Sequence, residues 1–245
     1  MKAFLLAAGH GTRLRPLTDS VPKCLVPIRN RPLLDIWLEL LRRNGINEVL
    51  INLHAHSQLV RDHLNSANRG LAIRFSEEPT LLGSAGTIWT NRSWVASEPF
   101  FWVFYADVLT NVQLNEMLAF HRKKRGVATL GVYEDPHPER CGIMLVDENG
   151  SIMEFVEKPR VPHSKSAFSG ILIGTPDLLD SLPQITPSDL AFDVFPRLAG
   201  QMSAFPIRDY LLDIGTVENY LLAQESWPGL STSRTESNLR TDCEF

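Results

Sequence analysis

An alternation along the chain limits most strongly what it can fold into. Continuous apolar runs ending in glycine or a carboxylate take turns with segments of helical period. "KAFLLAA" runs into Gly9, and "PFFWVFYAD" ends at Asp107; "EVLINLH", "LAIRFSEE", "ATLGVYE" and "FSGILIG" are further runs of the same kind. A run that is apolar on both faces reads as a strand buried in a parallel sheet. Between the runs, Leu34, Trp37, Leu38 and Leu41 fall at helical spacing, with Arg42 and Arg43 at the C-terminal end and Gly45 as the cap. "SQLVRDHLNSA" reads as a helix capped by Ser57, and Leu114, Met117, Leu118 and His121 line a helix closed by Gly126. "DLAFDVFPRLAG" and "TVENYLLAQES" are expected helices, and "CGIMLVDENGSIMEFVEKP" is an expected hairpin turning at Glu148-Asn149-Gly150. The order predicts an α/β fold with a mixed, mostly parallel sheet and helices on both faces. Ligands of such sheets bind beyond the carboxyl ends of the strands.

Composition narrows the function. With 24 Lys plus Arg against 28 Asp plus Glu, the net charge of −4 argues against a nucleic-acid binder. Cys24, Cys141 and Cys243 form no Cys-x-x-Cys pair, so neither a disulfide framework nor a cysteine zinc site is expected, and a reducing cytoplasm fits. No run is long enough to cross a membrane, and the short apolar start, met at once by Arg13 and Arg15, reads as a strand rather than a signal peptide. A domain over 1–227 is expected, followed by a polar and disordered tail over 228–245. No internal repeat is present.

The first strand opens into "AAGHGTRLRPLTDSVPKCLVPI". Gly9 and Gly11 let backbone N–H groups approach a ligand, and Arg13, Arg15 and Lys23 call for an anion, so the stretch reads as a phosphate site. A P-loop needs Gly-x4-Gly-Lys-Ser/Thr, which is absent. A dinucleotide fingerprint needs a third glycine where Leu14 stands. Arg13 and Lys23 read as exposed cations, whose loss costs little stability; Arg15 has an equal claim to being a solvated surface charge.

The extended pattern is more specific. Gly-x-Gly-Thr-Arg-Leu, then Pro-Lys and a second apolar-Pro segment, resembles the signature of the sugar-nucleotide pyrophosphorylases, the NTP:sugar-1-phosphate nucleotidyltransferases. "LLGSAGTI" at 81–88 resembles the nucleobase loop of the guanylyl and uridylyl branches. "ADVLTN" and "LLDIGTVENYLLA" resemble the two metal-aspartate motifs, "FVEKP" the Glu-Lys-Pro motif and "FSGILI" the sugar-contact strand. Six motifs in family order cover roughly residues 1–226. The resemblance is greatest to mannose-1-phosphate guanylyltransferases, in a short form without their C-terminal β-helix.

The resemblance implies a Rossmann-like (GT-A-like) fold and a reaction in which a sugar 1-phosphate attacks the α-phosphorus of an NTP and pyrophosphate leaves. It implies catalytic cations at Arg13 and Lys23. It implies nucleotide contacts at Ala8, Gly9, Gly11, Thr12, Gly83 and Ser84, with Glu77 or Glu78 bordering the base. On the sugar side it implies Glu157 for hydroxyls and Lys158 for the phosphate, with Gly142 and Gly170 leaving room. Asp107 and Asp213 would share Mg²⁺, which prefers a few carboxylates plus phosphate oxygens; the lesser reading of each alone is a helix cap. Ala106 stands where the family favours glycine and Cys141 where it favours an aromatic, which leaves the sugar open. GTP with mannose 1-phosphate or a manno-heptose 1-phosphate is the leading expectation. Uridylyl or thymidylyl transfer is the nearest alternative, and a non-catalytic sensing subunit the second class. A homo-oligomer is compatible with the sequence. His54 and His56 read as loop histidines, "HRKKR" at 121–125 as a solvated helix end, and Trp89, Trp94 and Trp102 as core.

Overall fold

A computed structural model describes residues 1–65, 70–124 and 126–230. At its centre four strands lie parallel: β1 (Lys2–Leu6), β4 (Glu48–Leu53), β5 (Ala72–Glu77) and β6 (Phe101–Tyr105), with β1 between β6 and β4. Between β1 and β4 come the short pair β2 (Pro27–Ile28) and β3 (Arg31–Pro32) and the helix α1 (Leu33–Arg43). Helix α2 (Ser57–Asn65) joins β4 to β5, and α3 (Gly83–Thr90) precedes β6. The expected cap Ser57 is the first helical residue; the residue before it, His56, holds φ +55°.

After β6 come β7 (Val108–Thr110), α4 (Leu114–Lys124) and β8 (Ala128–Glu134). The hairpin of β9 (Gly142–Val146) and β10 (Ile152–Glu157) turns where expected, with Asp147 Oδ1 accepting from the N–H groups of Asn149 and Ser151. Strand β11 (Ser166–Gly174) is the hub of the antiparallel half and pairs with β6, β8 and β9. Then follow α5 (Pro176–Asp180), β12 (Met202–Pro206), β13 (Leu211–Asp213) and α6 (Val217–Ser226). The large sheet has nine strands among the described residues, in the order β10-β9-β11-β6-β1-β4-β5, with β8 joined to β11 and β12 to β8.

The alternation along each strand divides the apolar side chains between two cores. Ala3, Leu5, Trp102, Phe104, Val49 and Ile51 face one core with α1 and α4; Phe4, Phe101, Val103 and Leu50 face the other with α3 and α5. The expectation of helices on both faces therefore holds. "DLAFDVFPRLAG" is not one α-helix but a π turn over Leu190–Val194 followed by a 3₁₀ turn over Phe195–Leu198. Trp102 is buried, whereas Trp89 is half-buried with the Arg92 guanidinium 3.6 Å from its ring. Residues 228–230 continue onto the body, where Leu230 packs on the core and Gly229 O accepts from Asn111 Nδ2. The rest of the expected tail, 231–245, lies outside the described residues. Among the described residues no helix is long and apolar enough to cross a membrane.

Candidate active site

Two clefts meet beyond the carboxyl ends of the central strands, and Tyr105 and Asp107 belong to the walls of both. The first, of about 240 Å³, is lined by Ala8, Gly9, Lys23, Glu78, Gly83 and Ser84 among others. The second, of about 650 Å³, is lined by Arg13, Gly142, Glu157, Lys158, Gly170 and Asp213 among others. Twelve of the fourteen site residues expected from the sequence thus reach one cleft wall or the other. Gly11 and Thr12 do not. Gly11 instead makes the turn, at φ +64°, and its carbonyl accepts from the Thr18 hydroxyl and the Leu14 N–H. A Cβ at Gly9 would meet nothing within 4 Å, so the backbone there stands open to a ligand.

The floor of the first cleft is a buried network. Asn52 belongs to the β4 face that packs under α3. Its Oδ1 accepts from Ala7 N–H at 2.6 Å, and its Nδ2 donates to Glu78 Oε1 at 2.9 Å. The Thr87 hydroxyl donates to the same oxygen at 2.5 Å, and Leu82 N–H donates to Glu78 Oε2 at 3.1 Å. Every partner is a donor, which an acceptor-only carboxylate satisfies and an amide would not. Glu78 is 2% exposed and its oxygens are spent on the protein itself, while Glu77 faces outward to Arg61. The segment expected as a nucleobase loop is mostly helix: α3 begins at Gly83, and only Leu81 and Leu82 are loop.

At the junction of the clefts, Asp107 follows β6 and Asp213 ends β13. Pairing of β13 with β7 brings the two together, with Ile214 N–H donating to Asp107 O at 3.0 Å. Lys23 Nζ lies 2.8 Å from Asp107 Oδ2 and 3.8 Å from Asp213 Oδ1. Lys23 is only 9% exposed, which corrects its reading as an exposed cation: it neutralises two carboxylates that would otherwise repel. Burial pushes the Asp213 carboxyl above the usual range, and Asp107 adds to this; Lys23, the Gly215 N–H and Arg13 pull the other way. The heads of Arg13 and Lys23 converge over Gly215, where a Cβ would lie 2.9 Å from Arg13 Nη2 and 3.1 Å from Lys23 Nζ. Arg15 pairs instead with the exposed Asp19 at 3.2 Å, as a surface cation would.

In the second cleft Lys158 has φ +49° and its Nζ is 3.2 Å from Glu157 Oε1. Burial raises the Glu157 carboxyl above its usual range against the pull of Lys158. Gly142 and Gly170 line this cleft, but not as open space. A Cβ on Gly142 would lie 2.5 Å from Phe155 Cζ and 2.6 Å from Glu157 Oε2; Gly170, at φ +75°, sits in a bulge of β11 against Tyr105 and Val108. The Cys141 thiol is raised to about 12, chiefly by burial.

Sequence reasoning did not single out Asn52, Tyr105, Asp189 or Gly215. A polar residue inside the apolar run "VLINL" was a legible signal for Asn52, and Gly215 closing "LLDIG" another; Tyr105 and Asp189 carry none. His54 is tied by Nδ1 to Glu78 O at 2.6 Å, and no cluster of three metal-binding side chains occurs among the described residues.

The family model for nucleotidyl transferases matches residues 2–228. This chain belongs to the nucleotidyl transferase family. It is 36% identical over 228 residues to the mannose-1-phosphate guanylyltransferase catalytic subunit beta of Xenopus tropicalis, covering 90% of this chain and 63% of that protein. The chain thus spans somewhat under two thirds of the length of that relative. Its fold is shared with a putative glucose-1-phosphate thymidylyltransferase from Bacillus anthracis (TM-score 0.81, 22% identity, covering 91% of this chain and 94% of that one). It is shared also with HddC from Yersinia pseudotuberculosis (TM-score 0.78, 24% identity, covering 92% of this chain and 99% of that one).

Proposed function

We propose that the chain is a sugar-1-phosphate guanylyltransferase, which joins GTP to mannose 1-phosphate or a related hexose or heptose 1-phosphate and releases pyrophosphate. The observation that carries the reading is the pair of clefts meeting at Asp107, with Lys23 and Arg13 converging at the same junction. One cleft offers open backbone at Gly9 and the α3 entrance at Gly83 and Ser84, as a nucleotide needs. The other offers Lys158 for a phosphate and Glu157 for hydroxyls. Two anions must be brought together, so positioning and charge neutralisation supply most of the catalysis. The guanine preference follows the similarity to the Xenopus tropicalis protein. Free Cys24 and Cys141 suit a reducing, cytoplasmic setting.

Asp107 and Asp213 fit a hard divalent cation. They are two converging carboxylates, with room in both clefts for phosphate oxygens, and Mg²⁺ is commonly held by one or two carboxylates and substrate phosphates. When bound, Mg²⁺ would neutralise the phosphates and the charge developing between them. Lys23, at the same junction, would neutralise charge near the α-phosphate. Arg13 would hold the leaving pyrophosphate with its planar fork.

A matrix of NTPs against sugar 1-phosphates, read by pyrophosphate release, tests the proposal. The expected maximum is GTP with mannose 1-phosphate, lost on chelation of divalent cations. Release with UTP or dTTP above GTP would reassign the base. Tight binding of a nucleotide sugar with no release from any pair would make the chain a sensing subunit.

A further inference from the structure

The walls of the two clefts are built by segments distant in sequence that run against each other. Ser188 N–H donates to Leu82 O at 2.9 Å, and Ser188 O accepts from Ala85 N–H at 3.0 Å and Gly86 N–H at 3.1 Å. The Ser84 hydroxyl donates to Asp189 Oδ2 at 2.8 Å and accepts from Leu190 N–H at 2.8 Å. The other Asp189 oxygen accepts from Ala191 N–H at 2.8 Å. The approach is so close that it demands glycine: a Cβ on Gly83, where φ is +76°, would lie 2.2 Å from Ser188 O.

These segments serve different clefts. Gly83 and Ser84 line the first, while Asp189, Ala191 and Phe192 line the second. After Asp189 the chain makes its π turn, an irregular element often found at functional sites. The turn brings the Phe192 ring to 5.6 Å from Lys158 Nζ. Beside the three backbone bonds of Ser188, one hydroxyl and one carboxylate thus join the α3 entrance to the groups that face the second cleft.

We infer that Asp189 is a positioning residue whose bond to Ser84 couples the two half-sites, so that nucleotide in the first cleft tightens sugar 1-phosphate binding in the second. The inference rests on the sugar-nucleotide reading above. A carboxylate suits the place. Ser84 Oγ already accepts from Leu190, so its single proton needs an acceptor, and both Asp189 oxygens face donors. Coupling of this kind is reciprocal: the sugar phosphate tightens the nucleotide by the same factor.

Calorimetric titration of mannose 1-phosphate, with and without saturating Mg²⁺ and α,β-methylene-GTP, measures the coupling as a ratio of Kd values. A ratio of about tenfold is expected for the wild-type chain. It should fall to near one in Ser84→Ala and in Asp189→Ala, with no further fall in the double variant, and be retained in Ser84→Thr, which keeps the hydroxyl. Asp189→Asn is nearly isosteric and guards against a folding defect; it too should lower the ratio, because its amide nitrogen offers a donor where an acceptor is needed. The change in hydrogen exchange on adding the analogue, rather than its basal rate, supplies a readout that a merely structural role would not move. The analogue should slow exchange at 189–192 as well as 82–86 in the wild-type chain, and no longer at 189–192 in Ser84→Ala, where the Ser188 N–H bond to Leu82 O remains. An unchanged ratio in folded Ser84→Ala and Asp189→Asn overturns the inference. Pyrophosphate release by the wild-type chain from GTP and mannose 1-phosphate is measured alongside. Its absence removes the sugar-nucleotide reading and the inference with it, whereas release with an unchanged ratio removes the inference alone.

Discussion

Gly215 shows how much of this site depends on an atom that is not there. A methyl group at this position would crowd three charged groups at once: Asp213 Oδ1 at 2.7 Å, Arg13 Nη2 at 2.9 Å and Lys23 Nζ at 3.1 Å. Gly215 is buried and its N–H donates to Asp213 Oδ1 at 2.6 Å, so the backbone has no freedom to retreat. Gly215→Ala should therefore leave the fold in place while moving the cations and Asp213 off station. Misplacement on the order of 1 Å commonly costs ~10²-fold in rate, and a kcat loss of about that size is expected, with the melting temperature little changed. Pre-steady-state turnover beside a thermal melt would check it; a normal rate would mean the converging charges take no part in the chemistry. The charged members of this cluster were legible in the sequence because their types and spacing match phosphate chemistry. Burial of Lys23 was not legible. It depends on Asp107 and Asp213 arriving from two other parts of the chain, and nothing local in "VPKCL" announces them.

Secondary-structure elements were legible where burial is two-sided and obscure where tertiary contacts hold them. The central strands β1, β4 and β6 are continuous apolar runs because both faces are covered. Helix α3 was missed for the opposite reason. "GSAGTIWT" carries two glycines and little apolar periodicity, and it stays helical because Glu78, Thr87 and Ser188 tie down its first turns. Strands β7 and β13 are three residues each and stable only as each other's partner. Helix α4 carries a prediction of its own. His121 is 6% exposed, with Nδ1 2.9 Å from Thr129 Oγ1 and its ring 6.1 Å from that of Phe100. Burial, and then the charge of Arg122, lowers its pKa below the ordinary value. The neutral ring is thus favoured in the fold, so its contribution is complete above the unfolded pKa of about 6.5 and is lost as pH falls towards the folded value. Urea unfolding between pH 7 and 5 should show wild-type stability falling faster than that of His121→Gln. The difference in slope for one proton cannot exceed about 1.4 kcal/mol per pH unit. Parallel curves would show that the imidazole is free to protonate in place.

At the scale of the whole molecule, helix α6 locks the two ends of the site together. Helix α6 lies against the segment that follows Lys23. Pro27 O accepts from Tyr220 Oη at 3.1 Å and from Gln224 Nε2 at 2.8 Å, and the Arg29 guanidinium donates to Gln224 O at 3.0 Å and Glu225 O at 2.5 Å. From the same helix Asn219 Nδ2 donates to Asp213 O at 2.7 Å, so one element holds the approaches to both a cation and a carboxylate of the junction. Trp227 then anchors the end of α6. It is 5% exposed and its ring centroid is 5.2 Å from that of Tyr210. Its loss by Trp227→Ala should cost about 3 kcal/mol, as large-to-small changes of buried aromatic residues do. All of these contacts lie within residues 1–230. A chain ending at Leu230 is therefore expected to melt at the full-length temperature and to release pyrophosphate at the full-length rate. A chain ending at Thr216 should lose stability by more than Trp227→Ala alone, because the Pro27, Arg29 and Asp213 tethers go as well. Melts and turnover on both truncations decide it: a stable, active chain ending at Thr216 would mean that the sheet alone positions Lys23 and Asp213, and that α6 is a passenger rather than the strap joining them.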